Sequence, residues 1–98
     1  MLYLAHQRHK PEECPGNTPK HVREMSEMLS PESMSRMGLK FVDAYIDHAC
    51  MVQASGPDHV CSFLLEGGSE QAVADAFKPF PVEVKSIVSW GRFAESAT

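Results

Sequence analysis

Four segments of the chain are rich in apolar, β-branched and aromatic residues, the content typical of β-strands, whose side chains point alternately to two faces. These segments are residues 1–9, 39–46, 59–66 and 82–90, and a helix is the alternative for residues 39–46. In the middle two, apolar side chains stand next to each other, as in Phe41-Val42 and Phe63-Leu64. Both faces of the second and third strands are therefore expected to be covered. Residues 91–98 are expected to be a tail.

Helical periodicity fills the gaps between the first and second strands and between the third and fourth. Thr18-Pro19 and Ser30-Pro31 carry residues favoured at helix starts, so the first gap is predicted to hold two consecutive helices closed by Gly38. A third helix is predicted after Ser69, and residues 10–17 read as a loop. Residues 48–58 leave three readings open: an extension of the strand, a loop or a short helix.

The resulting order is β-α-β-β-α-β, the split βαβ arrangement. It predicts a single α+β domain over residues 1–98, with a four-stranded antiparallel sheet and helices on one face. The other face would expose an apolar patch. Because a second copy of the chain covers such a patch economically, a homodimer with sheet packed against sheet is predicted.

The amino-acid composition limits the classes of binding partner that are expected. The 98 residues have room for one core, and 13 acidic against 9 basic side chains give a net charge of −4. Nucleic-acid binding is not expected from this balance, because it depends on basic side chains that neutralise phosphate groups. No apolar run reaches bilayer length and no signal-peptide pattern is present, so neither a membrane nor secretion is expected. Three widely spaced cysteines do not form a disulfide framework, and a cytoplasmic location is predicted.

Three stretches carry a family resemblance. They are the His9–Pro15 run His-Lys-Pro-Glu-Glu-Cys-Pro, the Gly38–Asp47 segment, and Pro57-Asp58-His59 with the following strand. The chain resembles a family of short bacterial proteins of unassigned function that has a similar His-x-Pro-Glu-x-Cys-Pro run. That family is identified as a member of the dimeric α+β barrel (ferredoxin-like) superfamily. The segment 48–56 and the Pro31-containing helical region depart from the family pattern.

The resemblance implies a fold rather than one activity. The superfamily hosts cofactor-free monooxygenases, isomerases, polyketide cyclases, haem proteins, stress-response proteins and metal binders, and a fold by itself does not choose among them. The leading expectation is a protein that binds a small apolar ligand, or a cofactor-free enzyme acting on one. The alternatives are a metal-binding or stress-response module that uses His9 and His59, and a purely structural interaction domain.

A metal site is the first candidate chemistry. The chain has five histidines, and antiparallel pairing of the two central strands brings the end of the first, His9, beside the start of the third, His59. Cys14 follows in the adjoining loop. Two imidazoles and a thiolate suit Zn, Ni or Cu. The alternative is a pair of hydrogen-bonded histidines that hold the loop, with Cys50 and Cys61 as buried thiols.

An acid–base site is the second candidate. His6 is expected to line a cleft under the helices together with Asp43 or Tyr45. A neutral imidazole is a usable general base near neutral pH, and a tyrosine hydroxyl can donate to a developing enolate. The alternative is a satisfied core histidine with Tyr45 in a packing role. No phosphate loop, nucleophile elbow or H-E-x-x-H motif is present.

Overall fold

The computed structural model describes residues 1–97, which form four β-strands and five α-helices. The strands are β1 (Leu2–His9), β2 (Lys40–Ile46), β3 (His59–Glu66) and β4 (Glu83–Ile87). The helices are α1 (Pro19–Met28), α2 (Pro31–Arg36), α3 (His48–Val52), α4 (Glu70–Ala76) and α5 (Trp90–Ser96). Two short 3₁₀ turns, Pro11–Glu13 and Pro15–Asn17, follow β1. The α+β class is therefore confirmed.

The strands form one antiparallel sheet in the order β2-β3-β1-β4. The two central strands pair along their full length, from Leu2 opposite Glu66 to His9 opposite His59. Between β2 and β3 the register shifts once, between Phe41 and Asp43. Such a β-bulge inserts an extra residue and reverses which face the following side chains occupy.

The core lies between the sheet and its helices. Alternate residues of β1 and β3 are buried there, and Phe63 packs against Phe77 next to α4 with ring centroids 4.9 Å apart. Met34 of α2 and Val73 of α4 are also fully buried. On the opposite face the central side chains, such as Leu4 and Leu64, are only half-buried. The sheet thus has one packed face and one open face.

The bulge corrects one prediction from the strand pattern. Simple alternation puts Phe41 and Tyr45 on the same face of β2. In the structure Phe41 pairs with the buried Leu65 and packs against the core, whereas Tyr45 pairs with Ser62 on the open face. The extra residue, Val42, accounts for the change because it shifts the alternation by one position.

The helix-start signals are confirmed at two of three positions. The hydroxyl groups of Ser30 and Ser69 accept backbone hydrogen bonds at the starts of α2 and α4. Gly38 closes the second helical segment with φ of 72°, as glycine does after many helices. Thr18 does not cap α1; its hydroxyl oxygen is buried and has no hydrogen-bond partner among residues 1–97.

Two segments differ from the sequence-based expectation. Residues 48–52 form helix α3, which resolves the three readings left open for this region. The predicted last strand ends early, at Ile87, and Trp90 begins helix α5 instead of closing the strand. Ser89 caps that helix by accepting from the backbone N–H of Arg92, so the predicted tail is helical over Trp90–Ser96, and Thr98 lies outside the described residues. None of the helices in residues 1–97 has the length and apolar character needed to cross a bilayer.

Candidate metal centre

Sheet register brings the two candidate histidines together. His9 ends β1 and His59 begins β3, and the two residues are direct partners across the central pair of strands. Their rings meet edge to face, with centroids 5.2 Å apart and an interplanar angle of 73°. Residues paired across antiparallel strands project to the same face, so both imidazoles lie on the helix side of the sheet.

Two cysteines approach the same point from different segments. Cys14 lies between the two 3₁₀ turns after β1 and is almost fully buried. Cys50 sits in α3, which Asp47 starts by accepting a hydrogen bond from the backbone N–H of Ala49. The second carboxylate oxygen of Asp47 accepts from the N–H of Val60. Asp47 thus connects α3 to the start of β3 and holds Cys50 near His59.

Four side chains form what we call the quartet: His9, Cys14, Cys50 and His59. One ligand atom from each lies within 4.8 Å of the others. Cys50 Sγ is 3.6 Å from His9 Nε2 and 3.4 Å from His59 Nδ1. Tetrahedral zinc with sulfur at about 2.3 Å and nitrogen at about 2.0 Å separates its donor atoms by about 3.3–3.8 Å. The quartet therefore needs only a small contraction to surround one ion.

Neighbouring backbone orients the His59 ring. Its Nε2 lies 2.9 Å from the carbonyl oxygen of Ala54, so Nε2 must carry the proton that it donates. In the neutral ring this leaves the lone pair of Nδ1 directed at Cys50. Metal-binding histidines are commonly held in this way by a carbonyl on the second nitrogen. His9 differs, since its Nδ1 is buried and has no hydrogen-bond partner among the described residues.

Gln53 connects the two cysteine-bearing segments. Its side-chain amide donates to the carbonyl oxygen of Cys50 at 2.6 Å and to the Sγ of Cys14 at 3.5 Å. Gln53 itself adopts a left-handed conformation with φ of 54° at the end of α3. This geometry turns the amide back toward the quartet and keeps the thiol of Cys14 beside that of Cys50.

The environment separates the acidities of the thiols. Burial acts to raise the pKa of Cys14, but hydrogen bonds from the Gln53 amide, from His59 when its ring is protonated and from the backbone of Gly16 outweigh it and lower that pKa to about 6. Burial and the neighbouring Cys14 raise the pKa of Cys50. Burial also raises the pKa of Cys61. Cys14 is thus the thiol most readily present as the thiolate, the form that binds metals.

The quartet lies at the floor of a cleft. A space of about 560 Å³ separates α1 from the sheet, and both His9 and Cys50 line it. Cys61, whose Sγ is 4.0 Å from that of Cys50, also lines the cleft. The cleft gives solutes a path to the quartet.

Of the metal ligands expected from sequence, the structure brings all three together: His9, Cys14 and His59. It adds Cys50, which the sequence pattern treated only as a buried thiol. The sequence feature that points to Cys50 is Asp47, three positions earlier, because aspartate is favoured at helix starts and would place Cys50 in a helix. Residues 48–58 are not uniformly exposed, since Met51 is 82% exposed whereas Cys50 is buried.

The acid–base candidates do not line a cleft under the helices, which corrects that expectation. His6 and Tyr45 both pair with Ser62, so their side chains lie on the open face, as does that of Asp43 opposite Leu64. His6 Nδ1 is 3.0 Å from the Ser62 hydroxyl. Tyr45 is 67% exposed, and a hydrogen bond with Asp43 raises its pKa. The β-bulge and strict alternation together put this group on the face that lacks helices.

Comparison of the chain with protein-family models, with curated proteins and with solved structures yields no match in any of the three. The geometry of the quartet is accordingly the basis on which a function is assigned.

Proposed function

We propose that this protein binds one transition-metal ion, with zinc as the preferred metal, through His9, Cys14, Cys50 and His59. The observation that supports the proposal is the mutual proximity of the four donor atoms, all within 4.8 Å. Two cysteines and His59, all buried, meet the half-buried His9 at one point, although the four come from separate segments, and no carboxylate belongs to the group. A lone buried thiol would not require such convergence.

The donor set decides the class of metal. Two thiolates and two imidazoles form the Cys₂His₂ set found in tetrahedral zinc sites. Cu(I) and Ni(II) are the competing ions, because thiolates and imidazoles suit them as well. Mg²⁺ and Ca²⁺ prefer oxygen ligands and do not fit the quartet. Four protein ligands complete a tetrahedron, so the proposed role is structural or metal-carrying rather than catalysis at an open coordination position.

Metal binding would also stabilise the fold. The four ligands come from the end of β1, the following loop, α3 and the start of β3, so an ion would cross-link segments that are far apart in the chain. A ligand that binds only the folded state at a thousand times its Kd adds about 4 kcal/mol to the free energy of unfolding. These four segments should then be the part of the protein whose backbone amides gain most protection from hydrogen exchange.

Metal titration of the tag-free chain tests this proposal. Co²⁺ serves as a spectroscopic substitute for zinc, since tetrahedral thiolate coordination gives intense visible bands and sulfur-to-metal charge transfer. We expect one equivalent of Co²⁺ to saturate these bands and one equivalent of Zn²⁺ to displace it. Zinc should also raise the thermal midpoint. Absence of both the charge-transfer bands and the stabilisation would overturn the proposal.

We propose further that the fold is ferredoxin-like and that two copies pair as a dimeric α+β barrel, as in the family that the chain resembles. The antiparallel order β4-β1-β3-β2 supports the first part. The open sheet face supports the second, because Leu4 and Leu64 are half-buried there and Val42 is exposed. A cytoplasmic location remains a prediction, consistent with three cysteines that are all unpaired.

Light scattering tests the dimer. The wild-type chain should scatter with about twice the chain mass, and Leu64→Lys, at the centre of the open face, should give a monomer. Met51→Lys is the control, because Met51 is an exposed apolar residue on α3 rather than on the sheet. A wild-type monomer at micromolar concentration would refute the proposed assembly.

A further inference from the structure

The cleft beside the quartet has the dimensions of a small-molecule site. Its volume of about 560 Å³ lies within the range of roughly 300–1,000 Å³ typical of ligand pockets. One wall is the apolar side of α1, and the other is the helix-facing side of the sheet. The apolar lining residues are Val22, Met25, Leu29, Ala44, Ile46 and Phe63.

One polar side chain in this cleft has no partner. Gln7 lies on the helix-facing side of β1, lines the cleft and is only 7% exposed. Its carboxamide makes no hydrogen bond with any of residues 1–97. The two amide atoms are not enclosed by the protein, so they remain open to the cleft that Gln7 lines. The cleft is the direction from which a partner can come.

The position of Gln7 in the sheet separates it from the quartet. It pairs with Cys61 on β3, two register positions from the His9–His59 pair. Cys61 in turn pairs with Ile46, whose side chain forms part of the apolar lining. Gln7 therefore sits between the metal ligands and the hydrophobic walls, where a molecule lying along the cleft would carry its polar group.

The other polar groups of the cleft favour a neutral occupant. Asp47 lies at the cleft, but each of its carboxylate oxygens already accepts a backbone hydrogen bond, from Ala49 and Val60. The lining holds no lysine or arginine, the permanently charged side chains that would neutralise a carboxylate or phosphate ligand, and its basic groups are the imidazoles of His9, His21 and His48. An anion would lose its hydration without gaining a fixed cation, which is unfavourable between apolar walls.

We propose that the cleft binds a small neutral apolar molecule bearing one carbonyl group, whose oxygen accepts a hydrogen bond from the Gln7 amide. The apolar body of the molecule packs against α1 and β2. This site goes beyond metal binding, because Gln7, α1 and β2 supply no ligand of the quartet, although His9 and Cys50 line the same cleft. The two sites are neighbours, and each can be occupied without the other.

A matched pair of probes tests the proposal. Acetophenone and α-methylstyrene have nearly the same shape, and they differ in a carbonyl oxygen replaced by a methylene group. Two-dimensional NMR of the full-length chain reports binding through the methyl signals of Val22 and Leu29 and the side-chain amide signals of Gln7. We expect acetophenone to shift all three and to bind about fivefold more tightly than α-methylstyrene, the effect of one net hydrogen bond.

Gln7→Met keeps the length of the side chain and removes its amide. We expect this variant to bind both probes equally and, because it loses an unpaired polar group, to unfold at the same urea concentration as wild type or higher. Gln71→Met is the control, since Gln71 is an exposed residue of α4 and should leave the fivefold preference unchanged. Repeating the titrations after dialysis against a chelator should give the same preference, which keeps the result independent of metal binding.

Two results would overturn the proposal. One is the absence of cleft shifts with acetophenone up to millimolar concentration, which would mean that water alone hydrates Gln7. The other is equal affinity of the two probes for the wild-type chain, which would show that the amide does not select a carbonyl group.

Discussion

Replacing Cys50 with alanine removes the thiol that contacts both histidines of the quartet. Its Sγ lies 3.6 Å from His9 Nε2 and 3.4 Å from His59 Nδ1. Structural zinc sites bind with an apparent free energy of about 10–16 kcal/mol, and an equal share for each of four ligands is about 2.5–4 kcal/mol. We therefore expect Cys50→Ala to weaken zinc binding about a hundredfold to a thousandfold.

The matched control is Cys61→Ala. Cys61 is as deeply buried as Cys50, and its Sγ is only 4.0 Å from that of Cys50, but it does not belong to the quartet. Both substitutions remove one buried sulfur and leave similar cavities, so their effects on folding should be alike. Only the effect on metal affinity should differ.

Competition against a chromophoric zinc chelator measures the two affinities, and urea titration of the metal-free proteins checks that both variants fold. Cys61→Ala should bind zinc within about threefold of wild type, since it lacks a direct ligand role. Equal losses in the two variants would refute the assignment of Cys50 as the fourth ligand. An unchanged zinc affinity in Cys50→Ala would refute the quartet altogether.

Three further predictions follow from the fold. Hydrogen bonds from backbone N–H groups lower the pKa of Asp47 in the folded protein. The stability that the carboxylate adds is therefore present above its unfolded pKa of about 3.9 and is lost as the pH falls through its lower folded pKa. Asp47→Asn should flatten the dependence of the urea midpoint on pH below about 4, and an unchanged slope would contradict this. Phe63→Ala should lower the free energy of unfolding by about 3–5 kcal/mol in urea titrations, and Leu64→Ala, on the open face, by clearly less; similar losses would mean that the two faces are equally packed. Deleting residues 49–56 should abolish cooperative thermal unfolding, because Cys50 leaves the core and His59 loses the Ala54 carbonyl, whereas a sharp unfolding transition would show that the segment is dispensable.

Much of the architecture could be predicted from local pattern. The strands were readable because short runs rich in apolar, aromatic and β-branched residues end at turn residues, as from Leu2 to His9 before Pro11. Helix starts were readable where a serine precedes proline or an acidic residue, as at Ser30 and Ser69, and both residues do cap helices. Local rules failed at Thr18, which has the right residue type but makes no capping bond.

The candidate site was only partly readable. Pairing of the central strands was enough to predict that His9 and His59 meet, because antiparallel neighbours place the end of β1 beside the start of β3. Cys50 could not be assigned in the same way. Its distance from His59 depends on α3 folding back over the start of β3, which in turn depends on the two hydrogen bonds of Asp47. The bond to Ala49 is a local helix cap, but the bond to Val60 joins two segments, and no residue spacing encodes it.

By itself, the sequence determined the α+β class, the succession of elements and the opposite faces of His6 and His9, since each of these follows from a period of two or of 3.6 residues. Tertiary structure decided two matters that such periods leave open. The β-bulge at Val42 sent Asp43 and Tyr45 to the open face, because one inserted residue reverses all side chains that follow it. Packing of α3 against the sheet then supplied Cys50, and a pair of histidines with a nearby thiol became a set of four converging ligands.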